Sequence, residues 1–253
     1  MEQIMNADWQ TIESRVMDPP LQMAICREAF RPNPTTVRFA RAVEVSPGET
    51  VFDIGSGIGP LAIKAAMSGA GRVVAVDPVA CHCELARANV ARYDLADRVS
   101  VYQGRFFEPF ETQPELQGLK AQVIIGDVSG IADGVARALG WYGSDVPTGG
   151  GDGAEVLVEM LDRARDYLAP GGRVYFPIAV DLSNAARVEE AAKRYYSEIE
   201  NALARPYVIF PLTPEEISAI HAAYDGELPP YINIQTHPRP CWRGQILVAR
   251  GPR

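Results

Sequence analysis

The segment at positions 51–60 constrains the fold of this 253-residue chain more than any other. It reads Val-Phe-Asp-Ile-Gly-Ser-Gly-Ile-Gly-Pro, so an apolar run ends in an acid, three alternating glycines follow, and a helix-compatible stretch begins. Glycine is needed where the backbone turns tightly and where a ligand approaches closer than a Cβ atom allows. The segment therefore predicts a strand, a ligand-binding turn and a helix in direct succession.

The spacing of these glycines excludes two common nucleotide-binding loops. A dinucleotide fingerprint needs its third glycine three positions after the second, but that position is Pro60. A Walker-type phosphate loop needs Gly-Lys-Ser or Gly-Lys-Thr, which the segment lacks. An acid, Asp53, precedes the turn, whereas a phosphate-binding site favours backbone donors and basic residues.

From residue 50 onward, short β-branched runs alternate with stretches of helical spacing, which is typical of parallel strands joined by crossover helices. We predict an α/β fold with a doubly wound, seven-stranded and mostly parallel sheet. The predicted strands are residues 50–54, 72–77, 99–103, 121–127, 173–178, 207–211 and 245–250. The predicted helices are residues 59–67, 80–93, 153–167, 184–201 and 214–223.

The first 45 residues lack this alternation. Helical spacing at residues 7–17, 20–30 and 35–43, with proline-containing breaks between them, predicts an N-terminal helical cap. The predicted domains are therefore the cap, residues 1–45, and a ligand-binding catalytic domain, residues 46–253. The cap either covers one edge of the sheet or closes over a ligand, and the sequence favours neither.

The strand, the acid and the Gly-x-Gly-x-Gly turn resemble the first motif of class I S-adenosylmethionine-dependent methyltransferases. The resemblance covers about residues 34–178 and includes a Leu-x-Pro-Gly-Gly turn at 168–172. It implies a Rossmann-like fold and the cofactor S-adenosyl-L-methionine, which carries a sulfonium and an ammonium group. The predicted cofactor contacts at the turn are Asp53, Gly55, Ser56, Gly57 and Gly59.

The next two strand ends supply further predicted cofactor contacts. Asp77, followed by Pro78, ends the second predicted strand, where an acid can accept both ribose hydroxyls. The third strand runs into Arg105 and Phe106, and in the family the loop at this point touches the adenine. Arg105 departs from the acidic or amide residue that is common there. Phe106 either stacks on the adenine or packs in the core.

Asp127 follows the fourth strand, at the edge where open α/β sheets bind ligands. Similar families that methylate amide or exocyclic amine nitrogens carry Asn-Pro-Pro-Tyr or Asp-Pro-Pro-Tyr here, whereas this chain has only the acid. The difference argues against a nucleic-acid or protein-glutamine substrate. We predict Asp127 as a cofactor contact and as the general base, in preference to Asp181 and His237. Tyr175, in the fifth strand, is the second predicted catalytic residue, close to the sulfonium.

Two loop features leave alternatives open. Residues 149–153 resemble the loop of the glutamine N5-methyltransferase branch, and they either shape the site or only connect a loop to a helix. Four aromatic side chains in predicted loops either wall a small, partly apolar substrate or anchor the loops on the sheet. They are Trp141, Tyr142, Tyr231 and Trp242.

Charge and cysteine content limit which binding partners and which cellular compartment the sequence predicts. The chain has 24 basic and 32 acidic residues, a formal net charge of -8, and no basic run, which argues against nucleic acid. No apolar stretch approaches the roughly 20 residues of a membrane helix, and the first residues lack the pattern of a secretory signal. Four cysteines are too few for a disulfide framework and suit a cytoplasmic protein. The run Cys81-His82-Cys83 has no second pair at zinc spacing, so we predict no metal.

The sequence thus predicts a methyltransferase that transfers a methyl group in line from S-adenosylmethionine to a small molecule. The prediction includes no nucleic-acid or membrane partner, and it allows a homodimer. One alternative is an enzyme of the azetidine-2-carboxylate synthase type, which cyclises the cofactor, releases methylthioadenosine and needs no acceptor pocket. The other alternative is a non-catalytic module that only binds the cofactor.

Overall fold

The computed structural model describes residues 8–142, 146–236 and 238–253. The chain divides into two compact units. Unit 1 comprises Met1–Asp127 and Asp166–Arg173, and unit 2 comprises Val128–Arg165 and Val174–Arg253. The domain boundary between residues 45 and 46 stays a prediction.

The N-terminal part of unit 1 is a β-hairpin where the sequence predicts helices. Strands β1 (Gln10–Ser14) and β2 (Leu21–Ile25) pair antiparallel. The helices predicted at residues 8–17 and 20–30 are therefore wrong, and residue 7 lies outside the described residues. In β2 the apolar side chains are buried, and contacts with partners remote in sequence outweigh the helical propensity of Gln, Met and Ala.

The third predicted N-terminal helix is present as α1 (Pro34–Ala42). The Asn33 side chain accepts hydrogen bonds from the backbone N–H groups of Thr35 and Thr36, and proline occupies the first helical position. Both features favour the start of a helix at this point. The N-terminal region is therefore a hairpin followed by one helix, and the prediction of a helical cap is corrected accordingly.

Parallel strands form the centre of unit 1. They are β3 (Thr50–Ile54), β4 (Arg72–Asp77), β5 (Val99–Gln103) and β6 (Ala121–Ile125), in the order β5-β4-β3-β6. Helices α2 (Pro60–Met67), α3 (Ala80–Arg92) and α4 (Glu108–Thr112) connect them. The four residues from Val73 to Val76 are at most 1% exposed, as expected for a parallel strand covered on both faces.

Unit 2 contains mainly helices and antiparallel strands. Strand β7 (Leu168–Ala179) begins in unit 1 and ends in unit 2. The other elements of unit 2 are α5 (Asp133–Ala138), α6 (Glu155–Ala164), α7 (Ala185–Tyr195), β8 (Tyr196–Asn201), β9 (Val208–Pro211), α8 (Pro214–Ala223) and β10 (Cys241–Pro252). Strands β8 and β9 each pair antiparallel with β10.

The predicted α/β class with a mostly parallel, Rossmann-like sheet is confirmed. Within the described residues the larger sheet has eight strands, one more than predicted. The additional strand is β8, which the sequence places at the end of a helix over residues 184–201. Its pairing with β10 is a tertiary contact that local propensity does not reveal. In the described part of the chain, no helix is long and apolar enough to cross a membrane.

Candidate functional site

The glycine turn joins β3 to α2 as the sequence predicts. Gly55, Gly57 and Gly59 all have positive φ angles, of 76°, 53° and 88°. A Cβ atom added at Gly57 would meet nothing within 4 Å, so the turn borders open space at this residue. Gly59 is the N-cap of α2, where left-handed backbone favours a residue without a Cβ. The turn therefore provides both the backbone shape and the room that a closely approaching ligand requires.

Three acidic residues reach this turn because parallel strands end at the same edge of the sheet. Asp53 in β3 pairs with Ile125 in β6, so Asp127 lies two residues beyond that pair. Asp77 ends β4 and pairs with Gln103 in β5. The predicted cofactor contacts from four strands are thus gathered at one edge of unit 1.

Asp53 is fully buried and chemically unsatisfied. It is 0% exposed, and neither carboxylate oxygen makes a hydrogen bond of ordinary geometry with the described residues. Burial raises the pKa of Asp53 from 3.8 to about 8, the negative charges of Asp127 and Asp77 add to the rise, and a weaker interaction with the backbone N–H of Ala62 opposes it. The hydroxyl of Ser56, in the same turn, is also buried without a partner. These groups fit a ligand that brings positive charge and hydrogen-bond donors, as S-adenosylmethionine does.

The pKa of Asp127 is also raised, but by less than that of Asp53. Burial raises the pKa of its carboxyl from 3.8 to about 6, and a hydrogen bond with the Thr36 side chain opposes the rise. Thr36 is buried in the first turn of α1. A carboxylate with a pKa near 6 is ionised at neutral pH and can still accept a proton, which suits a general base.

The Asp77 carboxylate already accepts three hydrogen bonds. Its Oδ2 accepts from the Gly57 N–H at 2.8 Å, and its Oδ1 accepts from the Val79 N–H at 2.9 Å. The third partner is the imidazole of His82, whose Nδ1 lies 2.9 Å from Oδ1. Asp77 is therefore tied to the glycine turn, as a ribose-binding acid must be. The sequence did not predict His82, whose only signal was its place in a Cys-His-Cys run considered for metal.

Arg105 and Phe106 follow β5 at the edge where Asp77 lies. Phe106 is 6% exposed and has a φ angle of 53°, an uncommon backbone state for a side chain of this size. The guanidinium of Arg105 stacks over the Phe106 ring at 4.5 Å. Left-handed backbone at a bulky residue is often found at functional sites. The contact of these two residues with adenine stays a prediction.

The remaining predicted catalytic residues lie in unit 2. Tyr175 is in β7 and is 2% exposed, and its catalytic role stays a prediction. The carboxylate of Asp181 accepts hydrogen bonds from the Arg243 side chain at 2.7 and 2.9 Å and from the Arg243 N–H at 2.7 Å. This carboxylate is committed to structure, so Asp181 is a poor base. His237 lies outside the described residues.

The loop features of unit 2 have structural uses. A Cβ atom at Gly149 would lie 2.7 Å from the Ile131 carbonyl oxygen, so glycine is required there for backbone packing. Trp141, Tyr142, Tyr231 and Trp242 belong to one apolar cluster. Trp242 stacks on Phe210 with ring centroids 4.2 Å apart. Of the alternatives that the sequence left open, the structure supports packing for the glycine loop and for the aromatic residues.

Comparison with known proteins finds similarity to methyltransferases. Residues 33–136 match the family model of ribosomal protein L11 methyltransferase (PrmA). The ribosomal protein L11 methyltransferase of Pelotomaculum thermopropionicum is 41% identical over 107 residues, which are 42% of this chain and 34% of that protein. The release factor glutamine methyltransferase of Thermosynechococcus vestitus is 26% identical over 187 residues, 71% of this chain and 64% of that protein.

Solved structures show the same fold. The ribosomal protein L11 methylase of Lactobacillus delbrueckii subsp. bulgaricus superimposes with a TM-score of 0.53 at 18% identity, over 88% of this chain and 81% of that chain. The Thermus thermophilus 16S rRNA N2 G1207 methyltransferase, solved with its cofactor and guanosine, gives a TM-score of 0.60 at 14% identity. That alignment covers 96% of this chain and 50% of that one.

The fold and the acid-lined glycine turn are those expected of class I S-adenosylmethionine-dependent methyltransferases, and the proteins to which the chain is similar are named as methyltransferases. The predicted cofactor, S-adenosyl-L-methionine, is the one that the Thermus thermophilus structure contains. Within that class, residues 33–136 are similar to the ribosomal protein L11 methyltransferases. The chain spans about a third of the length of the L11 relative and about two thirds of the length of the release factor relative.

The prediction of a small-molecule acceptor and partner is wrong. The relatives that match this chain are named for ribosomal protein L11 and for a release factor, which are proteins. The cyclisation and non-catalytic alternatives are dropped with it, because these relatives are named as methyltransferases. The loss of Pro-Pro-Tyr after Asp127 is therefore no indication of a small substrate.

Proposed function

We propose that this chain transfers a methyl group from S-adenosylmethionine to a nitrogen atom of a protein, and that the protein is basic. Ribosomal protein L11 is the first candidate. The observation that carries the proposal is the acid-lined glycine turn of unit 1, because the L11 methyltransferase family model matches this part of the chain, residues 33–136.

The charge of the chain supports a basic partner. The formal net charge is -8, and a protein that binds ribosomal RNA carries a surplus of Lys and Arg to contact phosphates. Opposite net charges steer such partners together and raise the rate of association at low salt. A ribosomal substrate also places the reaction in the cytoplasm, where the four free cysteines remain reduced.

Different residues of unit 1 contact different parts of the cofactor in this proposal. When bound, the cofactor supplies an electrophilic methyl group on a sulfonium cation. Gly57 leaves room for its close approach, and Oδ2 of Asp77 offers its remaining acceptor position to a ribose hydroxyl, so the predicted contact with both hydroxyls is reduced to one. Asp53 and Ser56 offer buried polar atoms without partners. Positive charge next to Asp53 lowers the pKa of that carboxyl and keeps it ionised at neutral pH.

Asp127 removes a proton from the acceptor nitrogen. A protein amine is protonated at neutral pH and must lose a proton before it can act as a nucleophile. A positioned base contributes about 10²–10⁴-fold to such a step, and holding the reactants in place contributes about 7–11 kcal/mol. Burial raises the pKa of Asp127 to about 6, so this carboxylate is a stronger base than an ordinary one and is still ionised at neutral pH. It can therefore take the proton that the neutral nitrogen releases as its bond to the methyl group forms and the bond from methyl to sulfur breaks.

Methyl transfer to purified proteins tests the proposal. The purified chain is mixed with cofactor labelled on its methyl group and with ribosomal protein L11, or with an acidic protein of similar size. We expect label on the basic protein and at least about 100-fold less of it with Asp127→Asn. Asp97→Asn is the matched control, because Asp97 is an exposed acid of unit 1 between α3 and β5. A chain that binds S-adenosylhomocysteine but labels no protein contradicts the proposal.

A further inference from the structure

One face of α3 carries polar side chains that connect the N-terminal segment with the glycine turn and with Asp77, which is bonded to that turn. Asn89 is 0% exposed. Its Oδ1 accepts from the Ala24 N–H at 2.6 Å, and its Nδ2 donates to the Ala24 carbonyl at 3.1 Å. The same Nδ2 donates to the Ile58 carbonyl, in the glycine turn, at 3.0 Å. One amide therefore holds β2 and the glycine turn together.

His82 makes the equivalent connection two helical turns earlier. It is 2% exposed. Its Nε2 lies 3.1 Å from the backbone nitrogen of Phe30, and its Nδ1 lies 2.9 Å from the Asp77 carboxylate. A backbone N–H can only donate, so Nε2 must be the acceptor and Nδ1 must carry the proton. Phe30 therefore fixes the tautomer in which His82 donates to Asp77.

This donation determines which oxygen of Asp77 remains available. A carboxylate has about four acceptor positions, two on each oxygen. Oδ1 accepts from both Val79 and His82, whereas Oδ2 accepts only from Gly57. Among the hydrogen bonds of the described residues, Oδ2 thus keeps a position for a hydroxyl donor, and the pair of donors on Oδ1 holds the carboxylate plane in place.

We infer that His82 is a positioning residue for the ribose of the cofactor: it orients Asp77, and Phe30 of the N-terminal segment holds it in the donating tautomer. His82 itself makes no contact with the ligand in this scheme. The inference rests on the proposed function only for the ligand, since it requires Asp77 to bind a ribose and does not require any particular methyl acceptor.

Binding measurements with two ligands test the inference. The ligands are S-adenosylhomocysteine and its analogue without the two ribose hydroxyls, measured by calorimetry on the full chain. His82→Leu removes the donor, and we expect about tenfold weaker binding of S-adenosylhomocysteine, because a hydrogen bond to a charged group is lost. The analogue should bind His82→Leu and the wild type equally. His82→Asn, which keeps a donor at the Nδ1 position, should restore binding to within about threefold.

A matched control and a spectroscopic readout complete the design. His221→Leu makes the same change at an exposed position of α8 and should leave both affinities unchanged. Nitrogen chemical shifts of His82 in the wild type should show the neutral Nδ1–H tautomer, and this measurement decides the question if His82→Leu does not fold. Finding the Nε2–H tautomer overturns the inference.

Three binding outcomes also overturn it. These are unchanged binding of S-adenosylhomocysteine by folded His82→Leu, an equal loss for both ligands, and wild-type binding that does not depend on the ribose hydroxyls. An equal loss for both ligands would show that His82 has no specific role at the ribose. Wild-type binding that does not depend on the ribose hydroxyls would show the same for Asp77. A wild type that binds in a ribose-dependent manner but methylates no protein contradicts the proposed function and leaves this inference in place.

Discussion

Two buried aspartates, Asp53 in unit 1 and Asp181 in unit 2, have opposite surroundings. Neither oxygen of Asp53 makes a hydrogen bond of ordinary geometry with the described residues, and burial raises its pKa to about 8 against a smaller, opposing effect of the Ala62 backbone. In unit 2, Asp181 is 1% exposed and accepts from both the backbone and the side chain of Arg243. Asp152 accepts from Ala154 and Arg187, and although burial acts to raise its pKa, these hydrogen bonds lower it.

The difference separates carboxylates that stabilise the fold from carboxylates kept for a ligand. A buried carboxylate with partners costs less than one without them, and one without them stays protonated at neutral pH until a positive charge binds next to it. In unit 2, Asp152 and Asp181 take their hydrogen bonds from the chain itself, although Oδ1 of Asp133 is buried without one. Unit 1 leaves Asp53 unsatisfied at the strand edge where a cationic cofactor belongs. Acid content alone, which both units share, does not reveal this difference.

The largest expected effect concerns stability in unit 2. Asp181→Asn removes the partner of Arg243, whose side chain is 30% exposed, and should lower the free energy of unfolding by about 3–5 kcal/mol. Urea unfolding measures the change. Glu200→Gln is the control: Glu200 pairs with Arg250 but is 67% exposed, so the loss should stay below about 1 kcal/mol. If Asp181→Asn lowers the free energy of unfolding by as little as the control does, Asp181 does not stabilise the fold and the contrast with Asp53 fails.

The glycine turn of unit 1 should give the next largest effect, on binding. Gly57→Val places a side chain in the open space at the turn and should weaken S-adenosylhomocysteine binding at least about 100-fold, a cost of about 2.7 kcal/mol. Gly118→Val is matched to it, because Gly118 also has a positive φ angle and nothing within 4 Å of an added Cβ. Both variants carry the same backbone strain. Equal binding by the two would show that the cofactor does not approach Gly57.

The pH dependence of stability distinguishes the acids of the two units. The pKa of Asp53 is raised in the folded state, so its contribution is present at low pH and is lost as the pH rises from about 4 to about 8. Without ligand, stability should fall by up to about 1.4 kcal/mol for each pH unit in this window. Asp53→Asn should remove the slope between about pH 6 and 8, whereas Asp127, whose pKa is raised to about 6, keeps part of the slope at lower pH. Asp152→Asn should leave the slope of stability against pH unchanged between about pH 4 and 8. The pKa of Asp152 is lowered, so its contribution to stability is lost only at more acidic pH.

The smallest expected effect concerns Thr36, whose side chain lowers the pKa of Asp127. Thr36→Val removes the hydroxyl, so the pKa of Asp127 should rise above about 6 by up to one unit. The acidic limb of the kcat/KM profile should then move to higher pH by the same amount. Thr35→Val changes the neighbouring residue of α1 and should not move it. An unshifted limb in Thr36→Val would show that Asp127 is not the titrating base.

The cofactor turn was predictable from the sequence because its geometry is local. The strand, the acid, the three glycines and the helix are consecutive, and parallel strands with short loops bring Asp53, Asp77 and Asp127 to one edge. The core strands of unit 1 were predictable for a similar reason, since β4 and β6 are nearly continuous apolar runs.

Features that depend on contacts between remote residues were not predictable. Whether Asp181 is a base or an ion-pair partner depends on Arg243, which lies 62 residues away in sequence. The role of His82 depends on Phe30, 52 residues away. The β1–β2 hairpin and β8 have composition that a helix would also accept, and their pairing partners decide the outcome. The acceptor class depends on surfaces outside the cofactor motif, so the charge of -8 was compatible with a small molecule and with a basic protein.

The outer edge of the hairpin affects how this molecule meets other chains. An open strand edge offers unpaired backbone groups to any incoming strand and so promotes aggregation. Strand β2 pairs with β1 on one side, and on the other side Gln22 and Ala24 bond to the side chains of Tyr93 and Asn89. Backbone groups that already have partners offer little to a foreign strand. The side chains of Asn89 in α3 and of Tyr93, the residue that follows α3, thus give this edge of β2 a protection that many proteins obtain from charged residues or proline.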